Sequence, residues 1–318
     1  MEFIKNTHFN FIGKRKYSFI ISSIFVILGV IEIISMVLGT ARIGIDFTGG
    51  LSMELAFKNR VNIASVRKVL LASGFRDVKI VKIKGKNDII IRTIASSSDL
   101  NKYTEGVKSA IAQGIKDNAF TVINNEMIGP SVGKRLSRDA IIAIIISIIA
   151  IIFYITWRFE FRFGLAAAVG LAHDVLALLG IIFIFQKEIT LLVITALLTV
   201  AGYSLTDKVV VFDRIRENLK IAMEKFGDHV NFNLKDLVNN SINEVLTRTV
   251  VTSLTVFLVV LSLFFLGGIV LHDFSFTLLW GIIIGTYSSI FIASPVMVML
   301  NEKHYQDSKP ARNKKNEQ

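Results

Sequence analysis

Six long apolar runs settle most of what this chain can fold into. They occupy residues 17–38, 140–157, 163–185, 189–212, 249–271 and 274–300. Lipid offers no partner to a bare backbone N–H or C=O, so a run of about 20 apolar residues crosses a bilayer as a helix. The expected fold class is an α-helical integral membrane protein with six transmembrane helices. The first run exceeds the roughly 7–15-residue apolar core of a cleaved signal peptide, so it reads as a retained span. Composition agrees, at 52% hydrophobic residues against the about 45–50% usual for soluble domains.

The polar residues between the runs set an orientation. The chain carries a net charge of +11. Binding to nucleic acid is one reading of that excess, but Lys and Arg also gather in the cytoplasmic loops of membrane proteins. The clusters GKRK, WRFEFR, DRIRENLK and KPARNKK all fall on one side if the N-terminus is cytoplasmic. The loops QKE and LHDF, with everything from residue 41 to about 136, then lie outside. This reads as a multi-pass membrane protein with both termini cytoplasmic and no nucleic-acid partner. There is no cysteine, and the five histidines (His8, His173, His229, His272, His304) show no HExxH spacing. Disulfides and thiolate sites are excluded, and no metal or cofactor is expected.

Residues 42–136 are far more polar than their flanks. Alternating LSMELAF is followed by a helical NIASVRKVLLASG, then DVKIVKI, DIIIRTI, a helical SDLNKYTEGVKSAIAQGI and finally AFTVINNEMIG. Strand, helix, strand, strand, helix, strand is the order of the ferredoxin-like, split βαβ α+β domain. KGKN around Gly85 suits a hairpin turn, and Asp99 suits the cap of the second helix. No nucleophile sits near a base, so this domain is expected to bind or move rather than catalyse, and the chain is not read as an enzyme. IGPSVGKRL resembles a phosphate-binding loop but fails its pattern: three residues rather than four separate Gly129 from Gly133, and Arg135 follows Lys134. Pro130 and Gly133 read instead as the start of the second span. The expected division is residues 1–41 as cytoplasmic N-terminus and first span, 42–136 as extracytoplasmic domain, 137–301 as spans two to six, and 302–318 as a basic cytoplasmic tail.

Charges inside spans are costly and mark functional sites by default. Asp174 lies halfway along the third run, too deep to reach water, and His173 beside it reads as a packing residue. Asp207 lies about five residues before the basic end of the fourth run, about 8 Å inside the boundary. Lys208 falls on a different face, from which it can snorkel outward. Arg248 enters the fifth run from the same side, at a depth that matches Asp207. Loss of water favours a neutral carboxyl, while a neighbouring guanidinium favours the anion. A carboxyl held between the two can take up and release a proton when the Arg moves, so Asp207 is the candidate proton carrier; a static ion pair is the competing reading. Glu32, in GVIEIISM, lies close to the outer interface and has no assigned role. GIIIG at 281–285 suits close helix packing.

Together these stretches resemble the SecF family of the bacterial preprotein export machinery. GIDFTGG matches the segment after the first span, IGPSVGKRL the entry to the second, LAHDV the third, GYSLTDKVVVFDRIREN the fourth and RTVVTS the start of the fifth. The resemblance covers nearly the whole chain. It implies the bacterial inner membrane, a resistance-nodulation-division-like membrane fold and a ferredoxin-like outer domain. It also implies a proton-driven late step of translocation, with a SecD-like subunit, the SecYEG channel and the preprotein chain as partners. It puts the family's functional Asp on Asp207, its Arg on Arg248 and the Asp of its HD pair on Asp174, a proton relay of three residues. Without the resemblance, the residues give a six-span, ion-coupled membrane protein with an outer domain. A small-molecule or lipid exporter of that superfamily and a non-transporting scaffold of the channel remain alternatives.

Overall fold

The computed structural model describes residues 7–75, 78–83, 87–93, 100–116, 118–226 and 233–307. The hairpin turn expected around Gly85, the cap expected at Asp99 and the basic stretch KPARNKK lie outside the described residues.

Among the described residues, six helices are long and apolar enough to cross a membrane. They are α1 (Arg15–Val37), α5 (Pro130–Arg158), α6 (Phe161–Ile184), α7 (Leu191–Phe226), α8 (Leu234–Leu266) and α9 (Gly268–Ser288), the last continued through a wide turn at Ser289–Ala293 into α10 (Ser294–Asp307). That turn is π-helical, a feature often found beside functional groups, and the Ser294 hydroxyl donates to the Ser289 carbonyl at 2.7 Å. The α6 and α9–α10 spans are the most enclosed, whereas α1, α5 and α8 show most of their apolar surface outward. Close packing rests on small residues: a Cβ on Gly29 of α1 would lie 1.9 Å from the Leu176 carbonyl oxygen of α6. The glycines of GIIIG do the same between α9 and α7, where a Cβ on Gly281 would meet Val200 at 2.1 Å. Where hydrophobicity no longer separates helix from lipid, such backbone contact supplies the association energy.

The molecule divides into two compact units, one of residues 1–42, 144–188 and 192–318, the other of residues 43–143 with 189–191. The second unit holds β1 (Gly50–Phe57), α3 (Ile63–Ala72), β2 (Lys79–Lys82), β3 (Asp88–Thr93), α4 (Leu100–Gly114) and β4 (Phe120–Ile128). The sheet order is β2-β3-β1-β4, all antiparallel, which is the ferredoxin-like arrangement. Alternate residues of β1 (Leu51, Met53, Leu55, Phe57) face inward and meet Val66 and Leu70 of α3 and Val107 and Ile111 of α4. The period of two on the strand and of about 3.6 on the helices puts these residues on one shared face.

GIDFTGG contains a short helix, α2 (Ile45–Thr48), that the sequence pattern did not signal. Gly49 follows it at φ 72°, and a Cβ there would lie 2.9 Å from the Pro130 Cα. Gly133 is as tightly placed, 2.8 Å from the Gly49 nitrogen by the same measure. The glycines of IGPSVGKRL thus serve a backbone crossing, with Pro130 at the first position of α5, where a missing N–H costs nothing. Asp46 accepts a hydrogen bond from the Leu191 N–H at 2.8 Å and so holds the start of α7.

Candidate functional site

Asp174 and Asp207 are both buried inside the first unit, and each has a distinct setting. Asp174 of α6 is fully buried. Its Oδ2 lies 2.6 Å from the Lys208 Nζ and also accepts from the Ser204 hydroxyl, while its Oδ1 lies 3.0 Å from His173 Nδ1. Lys208 is fully buried as well. Its remaining contacts are the hydroxyls of Ser204 at 2.6 Å and Ser288 at 2.9 Å. An ammonium has three N–H donors, and here all three have an acceptor. Asp174 and Lys208 therefore form a buried, hydrogen-bond-saturated ion pair that ties α6, α7 and α9 together.

Asp207 is held more loosely. It is 6% exposed, and its Oδ2 accepts from the hydroxyls of Ser253 of α8 and Thr286 of α9, both at 3.4 Å. Those hydroxyls also bond each other at 2.7 Å, and Tyr203 donates to Ser253 at 3.2 Å. None of the groups that hydrogen-bond Asp207 carries a charge, so these contacts are weaker than those a cation would make.

The pairing expected between Asp207 and Arg248 is not formed. Arg248 lies on an exposed face of α8 and, among the described residues, makes no ion pair. Ser253, which does reach Asp207, is five residues further along α8. Five residues turn a helix by about 140° beyond a full turn and advance it by about 7.5 Å, so Arg248 points elsewhere and sits shallower. Lys208 corrects a second expectation: it turns inward to Asp174 instead of snorkelling out. His173 is more than packing, since it hydrogen-bonds Asp174; its Nε2 has no partner among the described residues. Glu32 is also buried, at 4% exposure, rather than solvated at the interface.

Lys208 was the residue that sequence reasoning placed worst. The signal available was its position four residues after Ser204, on the same helix face. Gly170 gave a second signal, because it leaves the space that the lysine stem fills: a Cβ there would lie 2.4 Å from Lys208 Cε.

Residues 107–303 match the family model described as protein export membrane protein SecD/SecF, C-terminal. The chain belongs to the SecD/SecF family. Within it, the chain aligns with proteins named protein translocase subunit SecF: it is 44% identical to that of Thermodesulfovibrio yellowstonii over 95% of this chain and 98% of the relative. It is 38% identical to that of Endomicrobium trichonymphae, over 93% of each. Among solved structures it is similar to SecDF of Thermus thermophilus, described as a translocon-associated membrane protein, with a TM-score of 0.78 and 33% identity. The match covers 93% of this chain and 39% of that one, so the chain spans about two-fifths of the SecDF polypeptide. A SecDF structure in a super-membrane-facing form gives a TM-score of 0.66 at 32% identity. The part of this SecF-type chain that the SecD/SecF model covers contains Asp174, Asp207, Lys208 and Arg248, and leaves Glu32 outside.

Proposed function

We propose that this chain is the SecF-type accessory subunit of a bacterial Sec translocase. With a SecD-like subunit it uses the proton-motive force to promote a late stage of preprotein passage through the SecYEG channel. The N-terminus and the basic loops are cytoplasmic, and the ferredoxin-like domain faces outward, where it meets the emerging chain. The proton carrier is Asp207. Arg248 is the cation that its carboxylate meets when α8 turns or slides, and Asp174 flanks the path nearer mid-membrane.

One observation supports this most: Asp207 is a buried carboxyl whose partners are all neutral hydroxyls, contributed by two neighbouring spans. Changing its protonation alters what α8 and α9 are bonded to, which is how a local charge change is converted into helix movement. One charge moved through the membrane potential yields about 2.3 kcal/mol per 100 mV, enough to bias such a movement. The test is export of a reporter preprotein into inverted membrane vesicles with and without a proton gradient. Asp207→Asn should retain gradient-independent export and lose the stimulation. A scaffold role predicts that Asp207→Asn behaves as the wild type.

A further inference from the structure

The span that carries Asp207 also carries Lys208, and the proton-carrier reading gives that lysine no task. We propose that Lys208 is a fixed internal counter-cation. It keeps Asp174 a permanent carboxylate and leaves Asp207 as the one carboxyl of the Asp174–Asp207 cluster that exchanges protons. This rests on the reading of Asp207 given above and assigns a separate residue.

Saturation is the first reason. The Nζ of Lys208 has three acceptors, Asp174, Ser204 and Ser288, at 2.6, 2.6 and 2.9 Å. Breaking away from any of them strands a buried polar group, so the pair resists change. Shape is the second. The stem passes over Gly170, where a Cβ would lie 2.4 Å from Lys208 Cε and 3.0 Å from the Ala293 Cβ, in the wide turn after α9. The lysine is thus built into the junction of α6, α7 and that turn.

Contrast is the third reason. The ionisable groups that act on the two carboxyls are His173 from α6, and Lys208 and Tyr203 from α7. The α8 and α9 spans contribute the hydroxyls of Ser253, Thr286 and Ser288. Only one cation among these hydrogen-bonds a carboxylate, and it is committed to Asp174. Adjacent residues on a helix diverge by about 100°, so Lys208 serves Asp174 without bonding Asp207.

The test uses the full chain with its SecD-like partner in lipid, and reads protonated carboxyls by infrared difference spectroscopy beside vesicle export. Lys208→Met should add a protonated-carboxyl band at neutral pH, because Asp174 deprived of its cation becomes neutral. Asp174→Asn on top of Lys208→Met should remove that band, which assigns it to Asp174. Absence of the added band, or its persistence in the double variant, would overturn the counter-cation role. If Lys208→Met fails to accumulate, the double variant decides: recovery of accumulation supports the counter-cation, and failure to recover overturns it. Asp207→Asn separates the two ideas. Retained gradient dependence there defeats the proton-carrier reading, whereas its loss together with absence of the added band in Lys208→Met defeats only the role of Lys208.

Discussion

A buried lysine and a buried aspartate stabilise a membrane protein only as a pair. Removing one partner leaves the other charge without compensation, which costs about 3–5 kcal/mol. Asp174→Asn should therefore lower the thermal stability of the purified protein by an amount of that order, through the Lys208 it orphans. Arg248→Met should behave oppositely. Arg248 is exposed and, among the described residues, makes no ion pair, so its loss should change stability by no more than about 0.5 kcal/mol, yet abolish the gradient response of export. Unfolding in detergent, run beside the vesicle assay, checks both. Asp174 and Asp207 were legible in the sequence because a carboxylate within an apolar run is too costly to keep without a partner or a task. The partners were not. In the membrane portions of α7 and α8 apolar residues occur on several faces, so no single hydrophobic stripe there reports which way Lys208 points or how Arg248 faces Asp207. Helix rotation, which decides that, is set by packing against neighbours.

At the scale of elements, the apolar runs located each span but not its length. The fourth run ends near residue 212 and the fifth begins near 249, whereas α7 continues to Phe226 and α8 begins at Leu234. Beyond the apolar portion these helices are amphipathic. Leu234, Val238, Ile242 and Leu246 of α8 fall at four-residue spacing and pack with Val211, Ile215 and Leu219 of α7. Arg214 crosses to Glu244 at 2.6 Å on the outside, and Arg158 at the end of α5 pairs with Asp213. A composition-based reading stops where charge appears, although a helix needs only one buried face to continue. The apolar seam carries the energy here. Ile242→Ala should cost about 2–5 kcal/mol, and Arg214→Ala less than about 1 kcal/mol because its ion pairs are exposed. Equal losses for the two in thermal unfolding would contradict this ranking.

For the whole molecule, the ferredoxin-like order was legible because its strands alternate with period two and its helices do not. The tight crossing of Gly49, Pro130 and Gly133 was not, since it joins residues about 80 positions apart in sequence, a non-local contact that loop-closure entropy opposes until the domain has formed. Among the described residues, the core of that domain is drawn from residues 51–127. A fragment of residues 42–130 expressed alone should therefore be soluble, with mixed helix and strand by circular dichroism; an all-helical or disordered spectrum would contradict an autonomous core. The proposed orientation has its own check. Cysteines introduced at Lys86 and Lys225 should react with an impermeant maleimide from opposite sides of the membrane, and labelling of both from one side would overturn the topology. The central claim is that Asp207 couples protons to export. Its most direct test is reporter-preprotein export by inverted vesicles carrying Asp207→Asn, with the SecD-like partner shown to assemble. The account predicts that export is the same with and without a proton gradient in these vesicles, while the wild type is stimulated. Stimulation of Asp207→Asn vesicles to the wild-type level would contradict it.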